Sequence, residues 1–151
     1  MKIRYLIANS ILGCLLLNIA KRRNNNDKGA LKVLIYHDIP YNDLDNFEAQ
    51  IKCIDRDYGF IRPDDVKDIL AGKIKYIGTR VILTFDDGFK SNALLAEKFL
   101  TPLGIKAIFI IPPGCINAKN RDEQKTFIAK NIYNNRFKPE EIPDDMAPMS
   151  W

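Results

Sequence analysis

The sequence is poor in the residues that most often build metal and disulfide frameworks, with one histidine and three cysteines among 151 residues. Cys14, Cys53 and Cys115 are odd in number and share no paired spacing. That count suggests neither a disulfide framework nor a zinc knuckle, and buried free thiols are the default expectation. A strong charge of either sign is also missing. Lys plus Arg at 23 against Asp plus Glu at 19 gives a formal charge of +4, part of it in "KRRNNNDK" outside the main domain. That balance is too mild for the basic footprint of a nucleic-acid binder, so no nucleic-acid partner is expected. What is present is ordinary globular composition, 46% hydrophobic and 28% charged, enough for one domain with a core and unlike a disordered chain.

Residues 1–30 differ from the remainder. In "MKIRYLIANSILGCLLLNIAKRRNNNDKG", Lys2 and Arg4 precede an apolar stretch over residues 5–20, and a basic, Asn-rich tail follows. The stretch is short of the about 20 residues that a spanning helix takes. Asn18 and Ile19 before Ala20 make a poor small-residue cleavage site. "ILGC" ending at Cys14 resembles a bacterial lipoprotein box, yet "LLLNIA" after it stays apolar. Two readings stay open: a membrane anchor or signal, with membrane contact through residues 1–30, and a helix packed on the domain. The first places the protein in a bacterial cell envelope, the second leaves a cytoplasmic location open. The domain proper is expected over residues 31–151.

From Leu31 the pattern alternates strand and helix. "LKVLIYH" (31–37) is β-branched and aliphatic, and "DLDNFEAQIKCIDRDY" places Leu44, Phe47, Ile51, Ile54 and Tyr58 on one helical stripe. "YGFIR" reads as a short strand. "PDDVKDILAG" reads as a short helix with Pro63 at its start and Gly72 as its stop. "TRVILTF" (79–85) is a buried strand, "KSNALLAEKFLTPLG" a helix stopped by Pro102 and Gly104, and "IKAIFIIP" (105–112) a further strand. Strands apolar on both faces and separated by helices predict parallel pairing in an α/β fold. The tail carries Phe127, Ile128 and Ile132 on a helix whose "RDEQK" reads as a solvated face, then a Pro- and acid-rich loop.

In parallel α/β architectures the functional face lies at the carboxyl ends of the strands. Asp86 and Asp87 stand there after one strand and His37 after another. Adjacent carboxylates can divide labour, one holding a metal ion and the other accepting a proton from water. Gly88 lets the backbone turn away sharply. Equally, both aspartates could cap the helix beginning near Lys90. His37 reads either as a cleft residue touching substrate or as a hydrogen-bonded rim residue, and Asp38 reads as a turn or cap residue before Pro40.

"TFDDG" (84–88), preceded by "VIL" and followed by "KAIFII" (106–111), resembles the first motif of the polysaccharide deacetylases, the NodB-homology family of carbohydrate esterases. "LIYHDI" (34–39) resembles the opening strand of one subgroup, and "NFEAQIKCI", "YGF" and "TFDDG" follow in the same order. The resemblance covers residues 31–116. It implies a distorted (β/α) barrel, removal of N-acetyl groups from a polysaccharide, Asp86 as general base and Asp87 as ligand of a divalent metal, zinc above all. Cobalt, nickel or manganese would also suit mixed nitrogen and oxygen ligation. The family's H-[ST]-x-x-H motif, which supplies two metal histidines, is absent here.

A barrel takes about 200 residues or more and each βα unit about 30, so residues 31–151 hold about four units. The expectation is therefore an incomplete (β/α) barrel, about half of it, forming the N-terminal part of a deacetylase domain and lacking turnover of its own. "MSW" resembles the start of the next helix, with Ser150 as its cap. Two other readings compete: a non-catalytic half-domain that binds glycan or associates with a partner, and a phosphoryl-transfer enzyme, which would want D-x-D where this chain has D-D-G.

Overall fold

The computed structural model describes residues 29–144 and 146–149. The apolar segment over residues 5–20, Cys14 and the expected cap Ser150 lie outside the described residues, so those expectations stand as they were. Among the described residues no helix is long and apolar enough to cross a membrane.

The chain is α/β, with a three-stranded parallel sheet in the order β1-β2-β3. Strand β1 is Ala30–Tyr36, β2 is Thr79–Phe85 and β3 is Ala107–Phe109. The β2–β3 register pairs Leu83 with Ala107, Thr84 with Ile108 and Phe85 with Phe109. β2 is the apolar run "TRVILTF", and its last five residues are buried, as expected of a strand covered on both faces. β3 is shorter than its apolar run.

The described residues fall into two compact units, one formed by residues 29–34 with Asn42–Ile82, the other by Ile35–Tyr41 with residues 83–144 and 146–149. In the first, α1 (Leu44–Asp57) buries Phe47, Ile51 and Ile54, the stripe that the three- and four-residue spacing predicts. "YGFIR" is not a strand. It makes one isolated parallel bridge, Phe60 to Val81, flanked by Ile61 N–H donating to the Val81 carbonyl at 2.9 Å. Gly59 at φ 73° bends the chain into and out of that contact too quickly for a ladder to grow. The expected helix at residues 63–72 is a 3-10 turn (Pro63–Asp65) leading into α2 (Val66–Leu70).

In the second unit, α3 (Lys90–Leu95) runs on as a wider π turn over Ala96–Leu100 and ends at the Thr101–Gly104 turn. Then come β3, the short α4 (Pro113–Ile116) and α5 (Arg121–Phe127), which also widens into a π turn at Ile128–Ile132. Phe85 stacks between Tyr36 and Phe109, with ring centroids 5.7 and 5.1 Å away. Phe89, Cys115, Ile128, Ala129 and Ile142 form a second buried cluster, against which Phe127, Ile132, Tyr133 and Met146 pack. Each large side chain so buried contributes about 1.5–3 kcal/mol. Among the described residues neither Cys53 nor Cys115 is in a disulfide.

Candidate active site

The Asp-Asp-Gly turn belongs wholly to the second unit, together with Tyr36, His37 and Asp38. Asp86 is the first residue after β2, and its N–H donates to the carbonyl of Tyr36 at 2.8 Å. That bond holds the end of β2 beside the end of β1, where His37 follows. Asp87 and Gly88 come next with φ of 67° and 62°. Two successive left-handed residues turn the chain within a single β-turn, and aspartate tolerates that region better than most side chains do. Gly88 has a second reason to be glycine, since a Cβ there would lie 2.9 Å from Cγ2 of Ile111. Gly88 takes the second left-handed position of the turn, and the left-handed conformation of Asp87 is a feature the spacing does not reveal.

The two aspartates do not cap the next helix. Phe89 occupies the cap position of α3 and no side chain makes a cap hydrogen bond there. Asp86 is half-buried, and its Oδ1 is buried without a hydrogen-bond partner among the described residues. Asp87 is half-buried too. Burial raises its carboxyl above the usual carboxylate value, the charge of nearby His37 opposes that rise, and Asp86 adds to it. His37 is itself exposed. The fold thus brings His37 within electrostatic reach of Asp87. Asp38 accepts a 2.7 Å hydrogen bond from Oγ of Ser91 at the start of α3.

Three further features escaped the sequence reading. Asn92 is fully buried, and its Nδ2 donates to the backbone carbonyl of Asp86 at 3.3 Å. Its place on the α3 stripe with Leu95 and Phe99 was the available signal, a polar residue on an apolar face. Residues 146–149 lie as a strap along the turn: Met149 N–H donates to the Gly88 carbonyl at 2.8 Å, Lys90 N–H donates to Ala147 at 2.6 Å, and Phe89 bridges Pro148. Finally Arg121, read as part of a solvated face, is half-buried, and its Nη2 donates to the carbonyls of Pro143, Asp144 and Met146 at 2.7, 3.2 and 3.0 Å. Nothing local in "RDEQK" distinguishes that arginine from its solvated neighbours. Lys125 adds an ion pair to Asp144 at 2.6 Å, and its hydrogen bond and charge hold the Asp144 carboxyl below the usual range. Burial pushes the Cys115 thiol up, with Arg121 opposing and Asp87 adding to the shift, so Cys115 is a neutral buried thiol.

The donor set of the described residues does not fit a catalytic zinc ion. Such a site takes three protein ligands plus water, and among the described residues no group of three or more His, Cys, Asp or Glu is placed to hold a metal. Asp87 offers one oxygen donor, and His37 is the single imidazole of the chain.

No protein-family model matches this chain, and no curated protein sequence matches it either. Among solved structures the chain is similar to IcaB from Ammonifex degensii, with 26% identity and a TM-score of 0.53, over 70% of this chain and 50% of that one. The match therefore spans half the length of IcaB, and it joins a sequence likeness to a likeness of fold.

Proposed function

We propose that this chain supplies the carboxylate half of a site that removes N-acetyl groups from a polysaccharide. The observation that carries this reading is the left-handed Asp-Asp-Gly turn at the end of β2, with His37 in reach of Asp87. The "TFDDG" resemblance and the likeness to IcaB, a polysaccharide deacetylase, support the same chemistry. In the reaction, Asp86 takes a proton from water as the water oxygen attacks the acetamide carbon. The proton held by Asp86 then passes to the sugar nitrogen, the carbon–nitrogen bond of the tetrahedral intermediate breaks, and the amine and acetate are released. His37, exposed beside the turn, is the candidate for sugar contact. The family resemblance assigns Asp87 a divalent metal, zinc above all, but the described residues do not complete that site.

The single imidazole favours a second reading in which the turn binds N-acetylated glycan without turnover. One experiment separates the two: binding of an N-acetylglucosamine oligomer and of its deacetylated counterpart, measured calorimetrically, beside acetate release. Selective binding of the acetylated oligomer, weakened by Asp86→Asn, is expected. Acetate release that Asp86→Asn removes establishes the hydrolytic reading, selective binding without release that persists when a chain carrying the H-[ST]-x-x-H motif is supplied establishes the binding module, and equal affinity for both oligomers without release overturns both.

A further inference from the structure

We propose that Asn92 is the positioning residue of the Asp86–Asp87 turn, holding Asp87 in its left-handed conformation through the carbonyl of Asp86. This deepens the reading above and rests on it, because the turn matters only if its carboxylates do the chemistry. The amide Nδ2 of Asn92 donates to the Asp86 carbonyl at 3.3 Å from a side chain with no exposure at all. That carbonyl belongs to the peptide joining Asp86 to Asp87. Rotating this peptide plane changes ψ of Asp86 and φ of Asp87 together, so a donor fixed on the carbonyl fixes the sign of φ at Asp87, which is 67°. The effects are of one size: a left-handed non-glycine residue costs about as much as one hydrogen bond returns. A single bond can therefore decide the conformation.

The alternative is that Asn92 is only a packing residue. An apolar side chain would serve packing better, because the neighbouring stripe positions Leu95 and Phe99 are buried and a buried amide pays for desolvation. Its Oδ1 is buried without a partner among the described residues. The amide thus carries an unsatisfied acceptor while its nitrogen serves the Asp86 carbonyl, and the reverse orientation would set two acceptors against each other. On the other side of the turn, the Met149 N–H grips the Gly88 carbonyl at 2.8 Å, so Asn92 holds the end that the strap does not reach.

The test reads geometry rather than turnover. In the full chain, a left-handed Asp87 gives a strong intraresidue NOE between its amide proton and Hα, since positive φ brings the two close. Asn92→Leu, which keeps the branched heavy-atom outline and removes the donor, and Asn92→Ser, which is smaller, are each expected to weaken that NOE severalfold. Resonances of Phe85 and Phe109 in the stacked core should stay in place. Loss of thermal stability with the Asp87 NOE intact would make Asn92 a structural residue and overturn the proposal. If neither variant folds, wild-type exchange decides: Asn92 side-chain amide protons that exchange slowly, beside a strong Asp87 NOE, uphold the bond, and exchange as fast as an exposed amide overturns it. Failure of the acetate-release and glycan-binding tests leaves these NMR readouts untouched, so the two ideas fail separately.

Discussion

Met149 donates its backbone N–H to the carbonyl of Gly88 at 2.8 Å, tying residue 149 to the turn that carries Asp86 and Asp87. The anchor of that strap is Arg121, through three carbonyls between Pro143 and Met146. Arg121→Met keeps much of the aliphatic stem and removes every donor. The expected loss is about 1.5–3 kcal/mol of stability, with faster hydrogen exchange at the Met149 and Lys90 amides. Arg121→Lys should recover part of the protection. Unchanged exchange at both amides would show that the strap holds without its arginine.

Asp87 makes stability depend on pH in a direction opposite to an ion-paired carboxylate. Its folded value is raised above the ordinary 3.8, chiefly by burial, so the native state holds the proton more tightly than the unfolded chain. The favourable contribution is complete below 3.8 and is lost as pH rises through the folded value. Once pH has risen past the folded value, the ionised carboxylate is a net cost. Asp87→Asn, which also suits a left-handed residue, is expected to raise Tm at pH 7 by on the order of 1–3 °C, screening at a half-exposed group keeping the gain small. The gain should vanish near pH 3. A lower Tm at pH 7 would mean that the charge is stabilising.

Gly88→Ala should destabilise by about 1–3 kcal/mol. The new Cβ meets Ile111 Cγ2 at 2.9 Å and its Cα at 3.3 Å while φ is 62°, so the turn or β3's exit must move. Chemical denaturation measures the loss, and a change below about 0.5 kcal/mol, the range of ordinary surface substitutions, would show that the turn yields freely.

For metal, the 151-residue chain is expected to bind zinc with a dissociation constant weaker than about 1 μM, since its described residues bring no three such ligands together. Asp87→Ala should abolish what binding there is, and Asp86→Asn should leave it. Calorimetric titration decides the point, and equal loss in both variants contradicts the division of roles between the two aspartates.

Residues 1–30 carry the proposed membrane contact and envelope location. Deleting them should move the protein from the membrane fraction to the soluble fraction with an unchanged far-UV spectrum. Unfolding on deletion would instead identify a packed helix.

The sequence by itself determined what depends on local periodicity and on steric limits of single residues. β2 was legible to the residue as "TRVILTF", because a continuous apolar run bounded by polar ends fits only a doubly covered strand. The stripe of Phe47, Ile51 and Ile54 was legible for the same reason at helical period. Asp86, Asp87 and Gly88 stood out as acids at a strand end beside a residue free to turn. Only the tertiary structure decided which distant groups hold that turn. The Asp86 carbonyl finds Asn92, the Gly88 carbonyl finds Met149, and Asp38 finds Ser91. "YGFIR" failed as a strand for a related reason: its Phe60 pairs with Val81 only across a bend at Gly59. Such bonds depend on backbone groups and side chains brought together from far along the chain, and backbone groups are alike in every residue. Their choice of partner therefore leaves no mark in a local pattern, and it is settled when the chain packs and each buried donor must find an acceptor.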